Sequence, residues 1–283
     1  MTGTFSRLLL ATEHSEFDAG AEALAFAMAR HCGLPLAAVL PVLSNPEFEV
    51  VAPELAAKAD AQARVKGEAL EALARSQSVA LDLQARHGAE PYVEIVDEAR
   101  ERVADLIVIR RRGKRGLLAN LLVGEMVFKV LAHAPCSVLV VPRGMPMWTR
   151  RVLVGIDPHA PDATLLAQAA ALAAECALPL RVVCVATGDT AQPAAQATLQ
   201  TAVQQALALG ARAEGELRTG KPHQQLVDAA RECGADLMAV ARHGGDHLAR
   251  AWMGGTAQKV IGLATCPVLV HVHNPHWMPP RHE

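Results

Sequence analysis

The stretch ERVADLIVIRRRG…LVGEMVFKVLAHAPCSVLVVPR at residues 101–143 recurs in altered form at 232–273, as ECGADLMAVARHG…WMGGTAQKVIGLATCPVLVHVH. Asp105-Leu106 answers Asp236-Leu237, Gly113 answers Gly244, Lys129-Val130 answers Lys259-Val260, and Cys136 answers Cys266. Working outward, RLLLATEH from Arg7 to His14 pairs with RVLVGIDP from Arg151 to Pro158. GLPLAAVLPV from Gly33 pairs with ALPLRVVCVA from Ala177. A repeat this long, carrying strands and helices of its own, denotes two copies of one domain rather than a solenoid of small units. Wherever the copies differ, each is a control for the other.

In the first copy the apolar run Arg7–Ala11 predicts a strand covered on both faces. A helix follows from about Asp18 to His31, ended by Cys32-Gly33, then a strand at Leu36–Leu43. Beyond a loop, the pattern predicts a long helix at Glu54–Ser76, a strand at Val79–Ala85 and a helix at Tyr92–Arg102. Asp105–Ile109 reads as a fourth strand, Gly124–Ala132 as a helix, and SVLVV as the closing strand. The second copy repeats that order but is shorter around its long helix. The offset between copies is 144 at Arg7 and Arg151, and 131 at Asp105 and Asp236. Strands alternating with helices across long connections predict an α/β fold with doubly wound parallel sheets. The expected units are a domain at 1–143, a linker at 144–150 (GMPMWTR), a second domain at 151–273 and a tail at 274–283.

A chain of 283 residues suits two domains of about 140 residues each. Hydrophobic residues make up 51% but aromatics only 3%, so the cores must be built from Ala, Leu and Val. The formal charge of −2 gives no electrostatic case for nucleic acid or an anionic membrane. No apolar run approaches the roughly 18 residues needed to span a bilayer, and MTGTFSRLLLATEH lacks the features of a secretory signal. The six cysteines form no CxxC pair and read as small, buried, reduced side chains, which fits a cytoplasmic location.

In an open parallel sheet, ligands bind beyond the C-terminal ends of the strands, near the switch in strand order. In the second copy Asp157 follows the first strand, Val185 ends the second, and Ala241-Arg242-His243-Gly244 follow the fourth. The helix opening at Gly254-Gly255-Thr256 presents unpaired N–H groups and the positive end of its dipole, an anion site that glycine lets phosphate approach. With these residues, and with the sequels AHAPCSVLVVPR and LATCPVLVHVH, both copies resemble the universal stress protein family. The chain resembles its tandem type over essentially its whole length.

That resemblance implies two five-stranded parallel sheets of adenine nucleotide alpha-hydrolase-like fold, arranged as an intrachain pseudo-dimer. The final strands, Val138–Val141 and Val268–Val272, are expected to pair about a pseudo-twofold axis. Nucleotide-binding members carry Gly, two residues, Gly, nine residues, then Gly followed by Ser or Thr. The second copy reads Ala241-x2-Gly244-x9-Gly254-Gly255-Thr256, with Ala for the first glycine and Thr256 one residue late. ATP, with Mg²⁺, is thereby expected on Asp157, Val185, Ala241, Arg242, His243, Gly244, Gly254, Gly255 and Thr256. Asp157 would lie near the ribose and Val185 beside adenine. The first copy departs further. Arg110 stands at the first glycine, Gly113 to Gly124 is one residue too long, Glu125 opposes phosphate, Glu13 replaces the aspartate, and Pro41 has no N–H. It is expected to be empty.

The resemblance implies a cytoplasmic stress-response protein that acts through partner interactions rather than catalysis, with a homo-oligomer open. A nucleotide-free scaffold and a slow ATPase are the alternatives. The arginine cluster at 110–115 reads as a solvated loop, or as a phosphate or acidic-partner site. His271, His273, His276 and His282 offer a metal site only through a His-x-His spacing. His243 and His247 form no recognisable catalytic series.

Overall fold

The strand Leu8–Ala11 is buried throughout, with Leu8 and Leu10 in one core and Leu9 and Ala11 in the other. Period-two alternation between two apolar layers is what a sheet covered on both faces requires. The computed structural model describes residues 3–13, 19–44, 50–111, 124–188, 191–242 and 253–273. The first copy runs β1 (Leu8–Ala11), α1 (Ala19–Cys32), β2 (Leu36–Leu43), α2 (Pro53–Gln77), β3 (Leu81–Gly88), α3 (Pro91–Glu101), β4 (Leu106–Arg110), α4 (Glu125–His133) and β5 (Ser137–Val141). The second runs β6 (Val152–Ile156), α5 (Ala163–Glu175), β7 (Pro179–Ala186), α6 (Gln192–Ala208), β8 (Arg212–Thr219), α7 (Pro222–Cys233), β9 (Leu237–Ala241), α8 (Gly255–Leu263) and β10 (Val268–His271).

Each copy is a parallel, doubly wound five-stranded sheet, and the two join into one ten-stranded sheet, β3-β2-β1-β4-β5-β10-β9-β6-β7-β8. The seam is antiparallel, with Val268 opposite Val140, Leu269 opposite Leu139 and Val270 opposite Val138. This is the expected pseudo-dimer. Its self-complementary register buries one edge from each copy. The outer edges, β3 and β8, carry charged residues such as Asp82, Arg86, Glu214 and Arg218, which discourage further strand addition. Helices α1, α2, α5 and α6 contribute to the core on one face, and α3, α4, α7 and α8 to that on the other.

The third strand begins at Leu81, two residues later than its apolar pattern suggests, because α2 ends in a left-handed turn. Ser78 takes φ 55°, and Val79 donates its N–H to the Ala74 carbonyl at 3.1 Å. The segment read as a linker is also firmly held. Trp148 is buried, and the Asp236 carboxylate accepts the N–H groups of Thr149, Arg150 and Arg151 at 2.7, 3.0 and 3.0 Å. Asp105 does the same for Ser6 and Arg7 at 2.7 and 3.0 Å. The repeated Asp-Leu pair thus ties the entry of each first strand to its fourth strand. All six cysteines are free thiols. Burial pushes the Cys136, Cys184 and Cys266 thiols up. Cys32, Cys176 and Cys233 are only half-buried, contrary to expectation, because they sit at the ends of α1, α5 and α7.

Candidate functional site

At the switch point of the second copy, β6 is flanked by β7 on one side and β9 on the other. A cavity of about 390 Å³ opens there, beyond the carboxyl ends of the strands. Asp157, Val185, Ala241, Gly254, Gly255 and Thr256 all line it. Asp157 follows directly on β6, and its Oδ1 accepts the His159 N–H at 2.9 Å, which sets the carboxylate at the rim. Val185 is buried near the end of β7, in register with Arg218 of β8. Val185, Leu165 and Leu226 supply apolar wall. Gly155 allows Leu226 to close down, since a Cβ there would meet a Leu226 methyl at 2.9 Å.

Gly254 is the N-cap of α8, with φ −58° and ψ 140° and no side-chain cap. Its own N–H is spent on the Arg242 carbonyl at 2.8 Å. The amides that α8 offers are therefore those of Gly255, Thr256 and Ala257, one residue later than the sequence suggests, because the first three helical N–H groups have no intrahelical acceptor. A Cβ on Gly255 would meet nothing within 4 Å, so that side of the turn is open to the cavity.

Sequence reasoning missed Asp162, which lines the cavity and caps α5 by accepting the N–H groups of Thr164 and Leu165 at 2.9 and 3.0 Å. Burial opposes its ionisation, but these bonds, the Thr164 hydroxyl and nearby His271 outweigh it and hold the carboxyl below its ordinary range. The spacing Asp162, Thr164, Leu165 ahead of an Ala-rich helix was the readable signal. With Asp157 it makes one part of the cavity acidic, while the α8 terminus makes another electropositive. A ligand with hydroxyls at one end and an anion at the other suits that polarity.

Arg242 corrects the sequence reading. Its guanidinium leaves the cavity and crosses to the first copy, where Nη1 donates to the carbonyls of Leu131, Ala132 and Ala134 at 3.3, 3.4 and 3.2 Å. Arg111 mirrors it, donating to Ile261, Gly262 and Ala264 carbonyls at 2.8, 3.5 and 2.6 Å. Arg111 is therefore half-buried at an interface rather than part of a solvated cluster. The sequence-named His243 and Gly244 lie outside the described residues, as do Gly113, Arg112, Lys114, Arg115, His247, His276 and His282.

In the first copy the matching strand ends carry an ion pair. Arg110 stands where the second copy has Ala241, and its guanidinium lies 3.3 Å from the Glu13 carboxylate, at the position of Asp157. Pro41 takes the Val185 place, in register with Arg86. Glu125 opens α4 and pairs with Lys129 at 3.3 Å.

A buried polar chain leads from the cavity wall to the seam in the second copy. Thr164 Oγ1 donates to Asp162 at 2.7 Å and lies 2.8 Å from His271 Nε2. His271 Nδ1 lies 2.9 Å from Gln168 Oε1, which accepts from the Ser137 hydroxyl at 3.1 Å. The first copy has Gly20, Leu24 and Val141 at the places of Thr164, Gln168 and His271. His273 Nδ1 also approaches Thr164, at 3.4 Å, so His271 and His273 converge on a hydroxyl. Among the described residues no group of three or more His, Cys, Asp or Glu could hold a metal, and no helix is long and apolar enough to cross a membrane.

A profile of the universal stress protein family matches residues 4–142 and again 149–273. Universal stress protein YxiE of Bacillus subtilis is 33% identical over 72 residues, 25% of this chain and 49% of that protein. Universal stress protein Sll1388 of Synechocystis sp. is 33% identical over 82 residues, 29% of this chain and 53% of that protein. The match thus spans about half the length of either relative. A crystal structure of a universal stress protein from Archaeoglobus fulgidus superposes with a TM-score of 0.72 at 18% identity, covering 96% of this chain and 98% of that one. That likeness is one of fold.

Proposed function

The chain belongs to the universal stress protein family, and on that footing we propose that its second copy binds ATP or a related adenine nucleotide while its first copy stays silent. The protein would act in the cytoplasm in response to stress, by changing its interactions with a partner. The observation that carries this reading is the cavity itself: two carboxylates at one wall and the open amides of an α-helix N-terminus at another, around an apolar middle. Asp157 would accept from the ribose hydroxyls, Val185 and Leu226 would pack on the base, and the Gly255, Thr256 and Ala257 amides would receive phosphate. Mg²⁺ would travel with the phosphates, partly neutralising them. The reading is of a binding protein, since Asp157 is the end of no nucleophile–base series among the described cavity residues.

Isothermal titration of nucleotide-stripped protein with ATP and Mg²⁺ tests this through its stoichiometry. One site per chain is expected. Two sites would show the first copy to be competent despite Arg110 and Glu13, and no binding would leave a nucleotide-free scaffold.

A further inference from the structure

The helix that faces the cavity is held at both ends, and the first copy supplies one of the holds. At its C-terminus the Ile261 and Ala264 carbonyls accept from Arg111 at 2.8 and 2.6 Å. Carbonyls in the last turn of a helix have no intrahelical donor, and a cation there complements the negative end of the dipole. At the other end the Gly254 N–H is held by the Arg242 carbonyl, while the Arg242 N–H is bound to His271 at 3.0 Å. α8 has only nine residues, roughly 13 Å from end to end, so fixing its last turn also fixes its first. The reciprocal grip of Arg242 on α4 is looser, at 3.2 to 3.4 Å, and α4 opens on Glu125, which repels anions.

We infer that Arg111, a residue of the first copy, is a positioning residue for the phosphate-receiving end of α8, so that the silent copy completes the site of the other. The affinity arm of its test rests on the nucleotide reading above; the exchange arm does not.

The test compares full-length wild type, Arg111→Ala, Arg111→Lys and, as a lesion of the first copy away from α8, Asp105→Asn. Amide hydrogen exchange over residues 253–263 is measured without nucleotide, and ATP affinity by titration. In Arg111→Ala, exchange over 253–263 should quicken by about tenfold and the ATP Kd should rise by about threefold or more. Arg111→Lys, which keeps a cation within reach of the carbonyls, should recover part of both. Asp105→Asn should move neither, although it lowers the melting temperature. Unchanged exchange in Arg111→Ala, or equal change in Asp105→Asn, overturns the inference. So does quickened exchange with unchanged affinity in a chain whose wild type binds ATP. A wild type that binds no ATP refutes the nucleotide reading instead, and the exchange arm still decides whether Arg111 orders α8. Should Arg111→Ala fail to fold, Arg111→Met, which keeps the aliphatic stem without the donor, is read in its place, and wild-type exchange and affinity there refute the inference.

Discussion

The Arg110 guanidinium lies 3.3 Å from the Glu13 carboxylate, where the second copy places Ala241 and Asp157 around an open cavity. The first copy thus pairs with each other two positions that in the second copy line a cavity. Both side chains are largely buried, so removing one deletes a partly desolvated charge-charge contact. Glu13→Ala should destabilise the protein by about 1–3 kcal/mol, read by urea unfolding, and should not create a second ATP site, because Pro41 and Glu125 remain. A second site in that variant would show that the ion pair alone had closed the first copy.

Placing a carboxylate at the N-cap of α8 sets like charge against phosphate. Gly254 has an ordinary φ of −58°, so a side chain there is conformationally tolerated. Gly254→Glu should weaken ATP binding by about tenfold or more while leaving the melting temperature of the nucleotide-free protein unchanged. Unaltered affinity would remove α8 from the site.

Asp236 gathers three consecutive backbone N–H groups, those of Thr149, Arg150 and Arg151. Hydrogen bonds to a carboxylate are stronger than neutral ones, and their loss unties three partly buried N–H groups at once. Asp236→Ala should cost about 2–4 kcal/mol by urea unfolding, and Asp236→Asn less, since one oxygen acceptor survives. A cost below that of an ordinary surface substitution would contradict this account of the repeated Asp-Leu pair.

Burial pushes His271 down to about 4, against the opposing pull of Asp162. His273 and Arg242 add to the shift, while Thr164, Gln168 and Ser137 surround the ring with uncharged partners. The unfolded chain takes up a proton at its ordinary value near 6.5 and the folded one does not. Stability is therefore full above about pH 6.5 and falls as pH drops toward 4, by an amount on the order of 3 kcal/mol. Asp162, held low, adds its own loss only at still more acid pH. A Gln168→Leu/His271→Val double variant carries the first copy's residues and should lose most of the slope between pH 6.5 and 4 in thermal melts, leaving the part due to His223, which burial and Lys259 also push down. A slope that persists in full would place its origin elsewhere.

The repeat itself was legible because it is local. Apolar runs such as Leu8–Ala11 and Val138–Val141 state their own burial, and the pairing of Asp105 with Asp236 needs no coordinates. Val185, Asp157 and Gly255 could be read as cavity positions because a parallel sheet brings the ends of its strands together wherever the order switches. Arg242 could not. The preceding Ala241 lines the cavity, but the long side chain of Arg242 reaches the Leu131 and Ala134 carbonyls across the seam, and only the tertiary structure specifies that distance. The same holds for the Gly254 amide, claimed by a carbonyl twelve residues earlier, and for His271, whose partners Thr164 and Gln168 lie more than a hundred residues away. The amino-acid sequence by itself determined the two-copy α/β plan, since hydrophobic periodicity is a property of neighbours along the chain. Which polar groups were already satisfied, and so which remained for a ligand, was decided by the folded structure, because hydrogen-bond partners are chosen by distance in space.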